Sequence, residues 1–409
     1  MIRINGGNRI GGKIRVSGSK NTALPLICGA LLTKGVVVIR NVPRIDDVFV
    51  LLEIIKSLNV KIAFNNNRLK IDSRNICYKS LAIKNVTKIR ASSYLMGVML
   101  ALFNKFQMSY PGGCDLGGRG LDFHYMAFTS LGYRITTNGL IEGEKISDYP
   151  HDVYFKTRSV GATINALFLA GYLNRVVKIY YFALEPEVKE VIRFLRKIGY
   201  KIYEMKDYLL IASKSKLKRY VVYDNVYDRI EAASYLMIGL LSKSLTIKNS
   251  PNEHMTQVIK QLREMGGKIK VRRHKLIAKK TPLYGTRVYA SSYPGFPTDC
   301  QPLIAALALY ASTTTVIKDN IYLNRFAYAK AFLMMNANIR KVDDFLYISP
   351  SELEGAVVKG FDLRGVFAVI IASLFAKGTT VILDGEIAKR GYENLEFKLK
   401  NIGVDIKFE

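Results

Sequence analysis

The sequence predicts an α/β protein built from six copies of one strand-helix-strand-helix-strand-strand unit, set out as two groups of three. Three observations lead there. Six apolar segments rich in small residues open at intervals of about seventy residues. Each is followed by a β-branched run, and each unit closes on a second helix with a shared ending.

The apolar segments are "SKNTALPLICGALL", "IRASSYLMGVMLAL", "RSVGATINALFLAG", "DRIEAASYLMIGLL", "PTDCQPLIAALAL" and "DLRGVFAVIIASLF", opening near Lys20, Arg90, Ser159, Arg229, Asp299 and Arg364. A polar opening before a continuous apolar run predicts a buried helix with a capped start. The runs that follow, such as "GVVVIRNV", "RVVKIYYF" and "GTTVILDG", are rich in β-branched and aromatic residues and predict strands. The second helices end in "SLNVKI", "SLGYRI", "KIGYKI", "EMGGKI", "MNANI" and "NIGVDI", where a Gly or Asn caps the helix before a new strand. A short hairpin then returns to the next unit, as expected in "VVYDNVYDRI". No single unit can bury both faces of its elements, so the units must pack together. The basic stretch "KSKLKRYVVYDN" places the hinge between the two groups near residues 215–228.

The 409 residues are 49% hydrophobic and 23% charged, a globular composition large enough for two or three domains. The opening "MIRINGGNRIGGKIRV" has no apolar signal core, and no apolar run approaches membrane-spanning length, so a cytoplasmic protein is expected. The four cysteines, Cys28, Cys77, Cys114 and Cys300, show no CxxC spacing and no His cluster. A zinc site or a disulfide framework is not expected. Cys28 and Cys300 fall in apolar stretches and read as core. The formal charge of +28 suggests anionic partners. Lys and Arg are scattered rather than blocked, which fits a compositional bias better than a nucleic-acid protein.

Two features carry chemistry. A helix N-terminus presents free N–H groups and attracts anions. A cation there is electrostatically unfavourable, yet Lys20, Arg90 and Arg364 recur at equivalent repeat positions, which suits phosphate or carboxylate binding. The second feature is "PGGCDLGGRG", Pro111 to Gly120, where Cys114 and Arg119 sit among five glycines. Such a loop can close over a substrate.

Seven segments in this order resemble the enolpyruvyl transferases, in the branch acting on nucleotide amino sugars: "GSKNTALP", "PGGCDLGGRGLDFH", "SVGAT", "GFPTDCQ", "NRF", "DLR" and "RGYENLEFKL". The resemblance covers nearly the whole chain. It implies two inside-out α/β domains, each with three repeats around a pseudo-threefold axis. The first domain is expected to comprise residues 1–18 with 226–409. The second, residues 19–225, is expected to carry the cysteine loop, with the active site in the cleft between them. The first strand is expected to pair with the C-terminal units.

The resemblance implies transfer of the enolpyruvyl group of phosphoenolpyruvate to the 3-hydroxyl of UDP-N-acetylglucosamine, with release of phosphate. It implies the small-molecule partners UDP-N-acetylglucosamine and phosphoenolpyruvate and no metal or organic cofactor; no membrane span and a monomer are expected. Asp299 matches the family's aspartate at the sugar hydroxyl and is the candidate base; an N-cap role for it stays open. Cys114 matches the proton donor to the methylene carbon, and neighbouring arginines favour its thiolate. A cysteine there also implies alkylation by the epoxide fosfomycin. Lys20 and Asn21 match the phosphoenolpyruvate-binding pair. Arg119 and Arg390 match arginines on its phosphate and carboxylate, and Arg325 and Arg364 match two more nearby. Arg90, the segment Arg119, Gly120, Leu121, Asp122 and Phe123, the turn Ser159, Val160 and Gly161, together with Asp299 and Ile321, match the nucleotide-sugar contacts.

The chain departs from the family pattern at Gly120, where proline is usual, and at Leu184, Leu323, Ala388 and Lys389. The lysine usual before the "SVG" turn is Thr157, flanked by Lys156 and Arg158. Relatives acting on 3-phosphoshikimate carry Lys-Ser in place of Lys20-Asn21 and lack the cysteine loop, so the sequence sides with the amino-sugar branch. A basic nucleic-acid-binding relative rests on the net charge alone.

Overall fold

A computed structural model of the chain describes residues 1–7, 9–113, 120–212, 217–323 and 325–409. The chain divides into two compact units. One comprises Met1–Ser17 and Tyr227–Glu409, and the other Gly18–Gly113 and residues 120–226.

Six apolar helices make the interior: Lys20–Ala30, Tyr94–Phe103 and Val160–Ala170 in one unit, Arg229–Leu241, Gln301–Ala308 and Leu363–Ser373 in the other. Within each unit the three pack together and form part of its core, which the sheets and second helices complete. They are apolar on nearly every face because sheets and helices surround them. Helices Tyr94–Phe103 and Val160–Ala170 meet at Gly97, where a Cβ would lie 2.6 Å from the backbone oxygen of Asn165. Four of the six starts are capped by side chains, from Ser19, Ser159, Asp228 and Asp362. The other two enter through 3-10 turns, Arg90–Ser93 and Thr298–Cys300. Cys28 and Cys300 are fully buried, as expected, although Cys300 lies in the turn rather than in the helix.

All six second helices end on a left-handed residue: Asn59, Gly132, Gly199, Gly266, Asn336 and Gly403. Only Gly and Asn adopt that conformation readily, which is why the endings look alike.

Five sheets have four strands in one order. Val36–Arg40, for example, lies between a parallel strand, Tyr220–Asp224, and the antiparallel strand Arg68–Asp72, with Lys61–Asn65 at the edge. The sixth has three strands, Lys105–Met108, Ile141–Lys145 and Tyr133–Thr136, and a single parallel bridge from Leu81 to Met108 in the fourth place. In three repeats the parallel strand comes from the same repeat, as with Val153–Tyr154 beside Val177–Tyr180. Repeats one and four exchange it: Gly11–Arg15 runs parallel to Ser244–Lys248, and Tyr220–Asp224 runs parallel to Val36–Arg40. The N-terminal strand Ile2–Asn5 sits between Thr379–Leu383 and Ile406–Phe408 and completes the four-stranded sheet of the last repeat.

This corrects one sequence-based expectation. "VVYDNVYDRI" is not a hairpin; its first half is the exchanged strand and its second half opens the helix Arg229–Leu241. The chain passes between the two units at Val226–Tyr227, within the span 215–228 where the hinge was expected, although Tyr220–Asp224 in that span belongs to a sheet. Backbone groups in a parallel strand find their partners far away in sequence, which local pattern does not reveal.

The chain passes between units at Ser17–Gly18 and again at Val226–Tyr227. Ser19 N–H donates to the Val226 carbonyl at 2.7 Å, and Asp228 N–H donates to the Ser17 carbonyl at 2.9 Å. Asn225 secures the crossing by donating to the carbonyls of Ser19 and Asn41. At Gly18 a Cβ would lie 1.7 Å from the Asn41 carbonyl oxygen, so no other residue fits. No helix among the described residues is long and apolar enough to cross a membrane.

Candidate functional site

In the unit formed by Gly18–Gly113 and residues 120–226, Lys20 is the first residue of its helix, directly after the Ser19 cap. Its ammonium lies 2.7 Å from Oδ2 of Asp47, and both side chains are largely buried. Asp47 belongs to the first turn of helix Asp46–Lys56, where a carboxylate also complements the helix dipole. Thus the cation at this helix start is held by a carboxylate from the second helix of the same repeat. Asn21 follows Lys20, half-buried.

Arg90 opens its 3-10 turn and donates from Nη2 to the Gly120 carbonyl at 2.9 Å. A Cβ on Gly113 would come within 3.2 Å of the Arg90 backbone nitrogen, and one on Gly112 would overlap the Thr87 carbonyl at 1.6 Å. Arg90 therefore borders both described ends of the glycine loop. Cys114 and Arg119, the loop residues of most chemical interest, lie outside the described residues. Beyond Gly120, Leu121 is buried, while Asp122 opens helix Asp122–Ser130 and Phe123 is half-buried. A Cβ on Gly120 would lie 2.2 Å from Oδ2 of Asp122, so the Asp122 carboxylate fills the space that a proline ring would need.

His124 and Asn165 join this region to the "SVG" turn, and sequence reasoning gave neither a role. Asn165 bonds the His124 Nδ1 at 2.9 Å, donates to the Ser93 carbonyl at 3.0 Å and accepts from Gly97 N–H at 2.8 Å. The His124 ring sits where a Cβ on Gly161 would come within 3.0 Å of it. Burial, with the Arg90 charge adding to it, pushes the His124 pKa down to about 3, so the ring is neutral. Ser159 caps helix Val160–Ala170 by accepting from Ala162 N–H, which leaves the first-turn N–H groups at Val160 and Gly161 outside the helix ladder. Arg158, just before the cap, lies over the Tyr181 ring at 5.2 Å, and its buried Nε has no partner among the described residues. Arg90, Gly120 to Phe123 and Ser159 to Gly161 are thus brought together, with His124 and Asn165 beneath them.

In the unit formed by Met1–Ser17 and Tyr227–Glu409, Asp299 lies in the turn Thr298–Cys300 and caps no helix, which removes the N-cap alternative. Its Oδ1 accepts from Arg325 Nη1 at 3.0 Å, and its Oδ2 lies 3.7 Å from Arg364 Nη2. Arg325 also donates to Thr298 Oγ1 at 3.1 Å and lies 3.9 Å from Asp362, the residue that caps helix Leu363–Ser373. Thr298 donates in turn to Asp319, whose Oδ1 accepts from Ile321 N–H at 2.9 Å. Arg364 lies over the Tyr392 ring at 5.1 Å.

Both arginines are almost fully buried. Burial opposes their charge, but the attraction of Asp299 and Asp362 for Arg325, and for Arg364 its contact with Tyr392 and the attraction of Asp299 and Asp228, outweigh it. Both stay firmly cationic. Arg325 Nε and Arg364 Nη1 are nonetheless buried donors without a partner among the described residues, an arrangement that costs stability unless something else binds there. Burial also pushes the Tyr392 phenol up to about 12, so it is neutral. Arg390 ends the turn Gly385–Arg390, and Gly391 behind it packs on Leu363, where a Cβ would overlap the Leu363 side chain. Asp299, Arg325, Arg364 and Ile321 therefore form one connected cluster, with Arg390 close to the same helix start. Among the described residues no three or more His, Cys, Asp or Glu are grouped to hold a metal ion.

Sequence reasoning also missed Asp47, Asp319 and Asp362. The doubled aspartate at 46–47 and the aspartate before "LR" were visible as helix-start signals, but not as partners of Lys20 and Arg325.

In each unit a polar cluster lies at the starts of buried, repeated helices. The enolpyruvyl transferase NikO from Streptomyces tendae superposes with a TM-score of 0.90 at 22% identity, covering 99% of this chain and 98% of that one. EPSP synthase from Acinetobacter baumannii gives 0.76 at 17% identity, covering 100% and 99%. At such identities the likeness establishes the fold alone. In sequence the chain is 33% identical over 410 residues to UDP-N-acetylglucosamine 1-carboxyvinyltransferase 2 of Caldanaerobacter subterraneus, covering 99% of this chain and 98% of the relative. It is 34% identical over 420 residues to UDP-N-acetylglucosamine 1-carboxyvinyltransferase of Campylobacter hominis, covering 100% and 99%. The profile of the family EPSP synthase (3-phosphoshikimate 1-carboxyvinyltransferase) matches residues 4–399. The chain belongs to the EPSP synthase family.

Proposed function

We propose that the protein transfers the enolpyruvyl group of phosphoenolpyruvate to the 3-hydroxyl of UDP-N-acetylglucosamine and releases inorganic phosphate, the first committed step of peptidoglycan synthesis. The observation that carries the reading is the Asp299 carboxylate, held by Arg325 and Arg364 while those two buried guanidinium groups keep unused donors. The full-length relatives named for this reaction support the choice of acceptor.

Asp299 accepts the hydroxyl proton as the sugar oxygen adds to C2 of phosphoenolpyruvate, and Arg325 fixes the carboxylate that receives it. Cys114, in its thiol form, protonates C3 to give a tetrahedral adduct and is left as the thiolate that neighbouring arginines favour. A proton then leaves C3, the bond from C2 to the phosphate oxygen breaks, and phosphate departs. Lys20, Asn21, Arg119, Arg325, Arg364 and Arg390 bind the phosphate and carboxylate and stabilise charge as it develops. Arg90, Gly120 to Phe123, Ser159 to Gly161 and Ile321 hold the nucleotide sugar, with the N–H groups of the "SVG" turn directed to its diphosphate. Arg158 supplies the cation that Thr157 does not. The enzyme acts as a cytoplasmic monomer and uses no metal or organic cofactor.

The test is phosphate release from phosphoenolpyruvate with either UDP-N-acetylglucosamine or 3-phosphoshikimate as acceptor, and Asp299→Asn as control. Release that requires the amino sugar and collapses in the variant is expected. Release with 3-phosphoshikimate alone would overturn the acceptor.

A further inference from the structure

The charge of +28 is not spread evenly over the sheets. In the sheet of Gly11–Arg15, Ser244–Lys248, Lys275–Ala278 and Ile269–Arg272, the register sets Arg15, Lys248, Lys275 and Arg272 in one row across all four strands. The adjacent row reads Lys13, Thr246, Ile277 and Lys270. Residues in one row point to the same face, and the alternate residues, such as Ile14, Leu245, Ile247 and Leu276, are buried in the core. The outward face thus carries six cations. Among the described residues none of the six takes part in an ion pair. The segment from Lys268 to Lys280 contains seven Lys and Arg and no carboxylate.

Compositional bias does not account for this, because other sheets of the same chain neutralise themselves. Arg40 faces Asp224 in register and pairs with it at 2.7 Å. Arg134 faces and pairs with Glu144, and Lys318 lies 3.5 Å from Asp344. Like charges directly opposite one another on neighbouring strands are destabilising. A row of four is maintained here at a cost in stability, and an anionic partner relieves it.

We propose that this sheet face docks the protein reversibly on a membrane surface rich in anionic lipid headgroups. The face offers no aromatic side chain on which bases could stack, unlike surfaces that bind single-stranded nucleic acid. It presents no projecting helix to enter a duplex groove. It is an open, one-sided array dominated by lysine, whose long stems let every charge reach the same plane, which matches a lipid headgroup layer. A basic patch with no apolar anchor gives reversible, salt-sensitive attachment.

The experiment is co-sedimentation of the full chain with vesicles of phosphatidylglycerol and phosphatidylcholine, against vesicles of phosphatidylcholine alone. Binding only to the anionic vesicles is expected, with release in about 1 M salt, where the screening length falls to about 3 Å. The variant Arg15→Gln/Lys248→Gln/Arg272→Gln/Lys275→Gln should lose at least about a hundredfold in vesicle affinity. It should keep its thermal midpoint and its phosphate release, since the four side chains are outside the catalytic cluster. A control of equal charge, Lys61→Gln/Arg68→Gln/Lys70→Gln/Lys79→Gln, should bind vesicles like the parent. Failure of the parent to bind anionic vesicles overturns the proposal. So does equal loss in both variants, which would make net charge the cause. An RNA arm completes the test: RNA binding that the first variant abolishes, without vesicle binding by the parent, would assign the face to nucleic acid instead.

Discussion

Arg325 donates from Nη1 to Oδ1 of Asp299 at 3.0 Å, and the same guanidinium reaches Thr298 and Asp362. The buried cation that holds the proposed base is thereby itself held by Thr298 and Asp362. Asp299→Asn preserves the shape and removes the proton acceptor. Phosphate release should fall by about 10²–10⁴-fold in kcat, with nucleotide-sugar affinity little changed. Arg325→Lys keeps the charge but loses the fork, so kcat should drop while KM for the sugar moves less. A full kcat in Asp299→Asn would remove Asp299 from the chemistry.

Lys20 and Asp47 form a largely buried pair at 2.7 Å. Asp47→Asn should destabilise the unit by about 3 kcal/mol, the usual consequence of removing one partner from such a pair. Lys20→Met should raise KM for phosphoenolpyruvate by at least about tenfold, since a charge-assisted contact to the phosphate is lost. Thermal melts and steady-state kinetics read the two effects separately. An unchanged melting temperature in Asp47→Asn would show that the pair holds nothing together.

His124 gives the fold a pH dependence with a defined sign. Its pKa is about 3 when folded and about 6.5 when unfolded. Between those values the unfolded chain binds the extra proton. The contribution to stability is therefore complete above about pH 6.5 and declines as pH falls toward 3. From pH 7 to pH 5 the loss from this group should be about 2 kcal/mol. Denaturant unfolding at the two pH values, in the parent and in His124→Gln, measures it. A variant with the same pH slope as the parent would assign the slope to other groups.

Cys114 should be alkylated by fosfomycin, adding one inhibitor mass to the intact protein and ending phosphate release. Cys114→Ala should take up none, and Cys114→Asp should remain active in its presence, since a carboxyl can still deliver the proton. Full inhibition of an unlabelled parent enzyme would place the epoxide elsewhere.

The sequence disclosed local features well. Asn59, Gly132, Gly199, Gly266, Asn336 and Gly403 were readable as helix ends because a left-handed turn restricts residue type at that very position. The exchange of Gly11–Arg15 with Tyr220–Asp224 was not readable, since a strand's pattern names its buried face but not its neighbour. The candidate site divides the same way. Lys20, Arg90 and Arg364 stood out as cations at helix starts, where charge is unfavourable. Their holders, Asp47, the Gly120 carbonyl and Asp299, come from other elements or other repeats. His124 and Asn165 escaped notice because a lone His and an Asn inside apolar runs carry no spacing signal.

The strand exchange also sets an order on biosynthesis. Every strand partner in the unit spanning residues 18–226 is made by the time Asp224 is added, so this unit can finish folding while the rest of the chain is being translated. Residues 1–17 must wait. Gly11–Arg15 has no partner until Ser244–Lys248 emerges, and Ile2–Asn5 none until Thr379–Leu383 and Ile406–Phe408 emerge. Ile2–Asn5 leaves the ribosome long before its partners and is thus among the last strands to be paired, and loop closure across nearly the whole chain governs when its unit is complete.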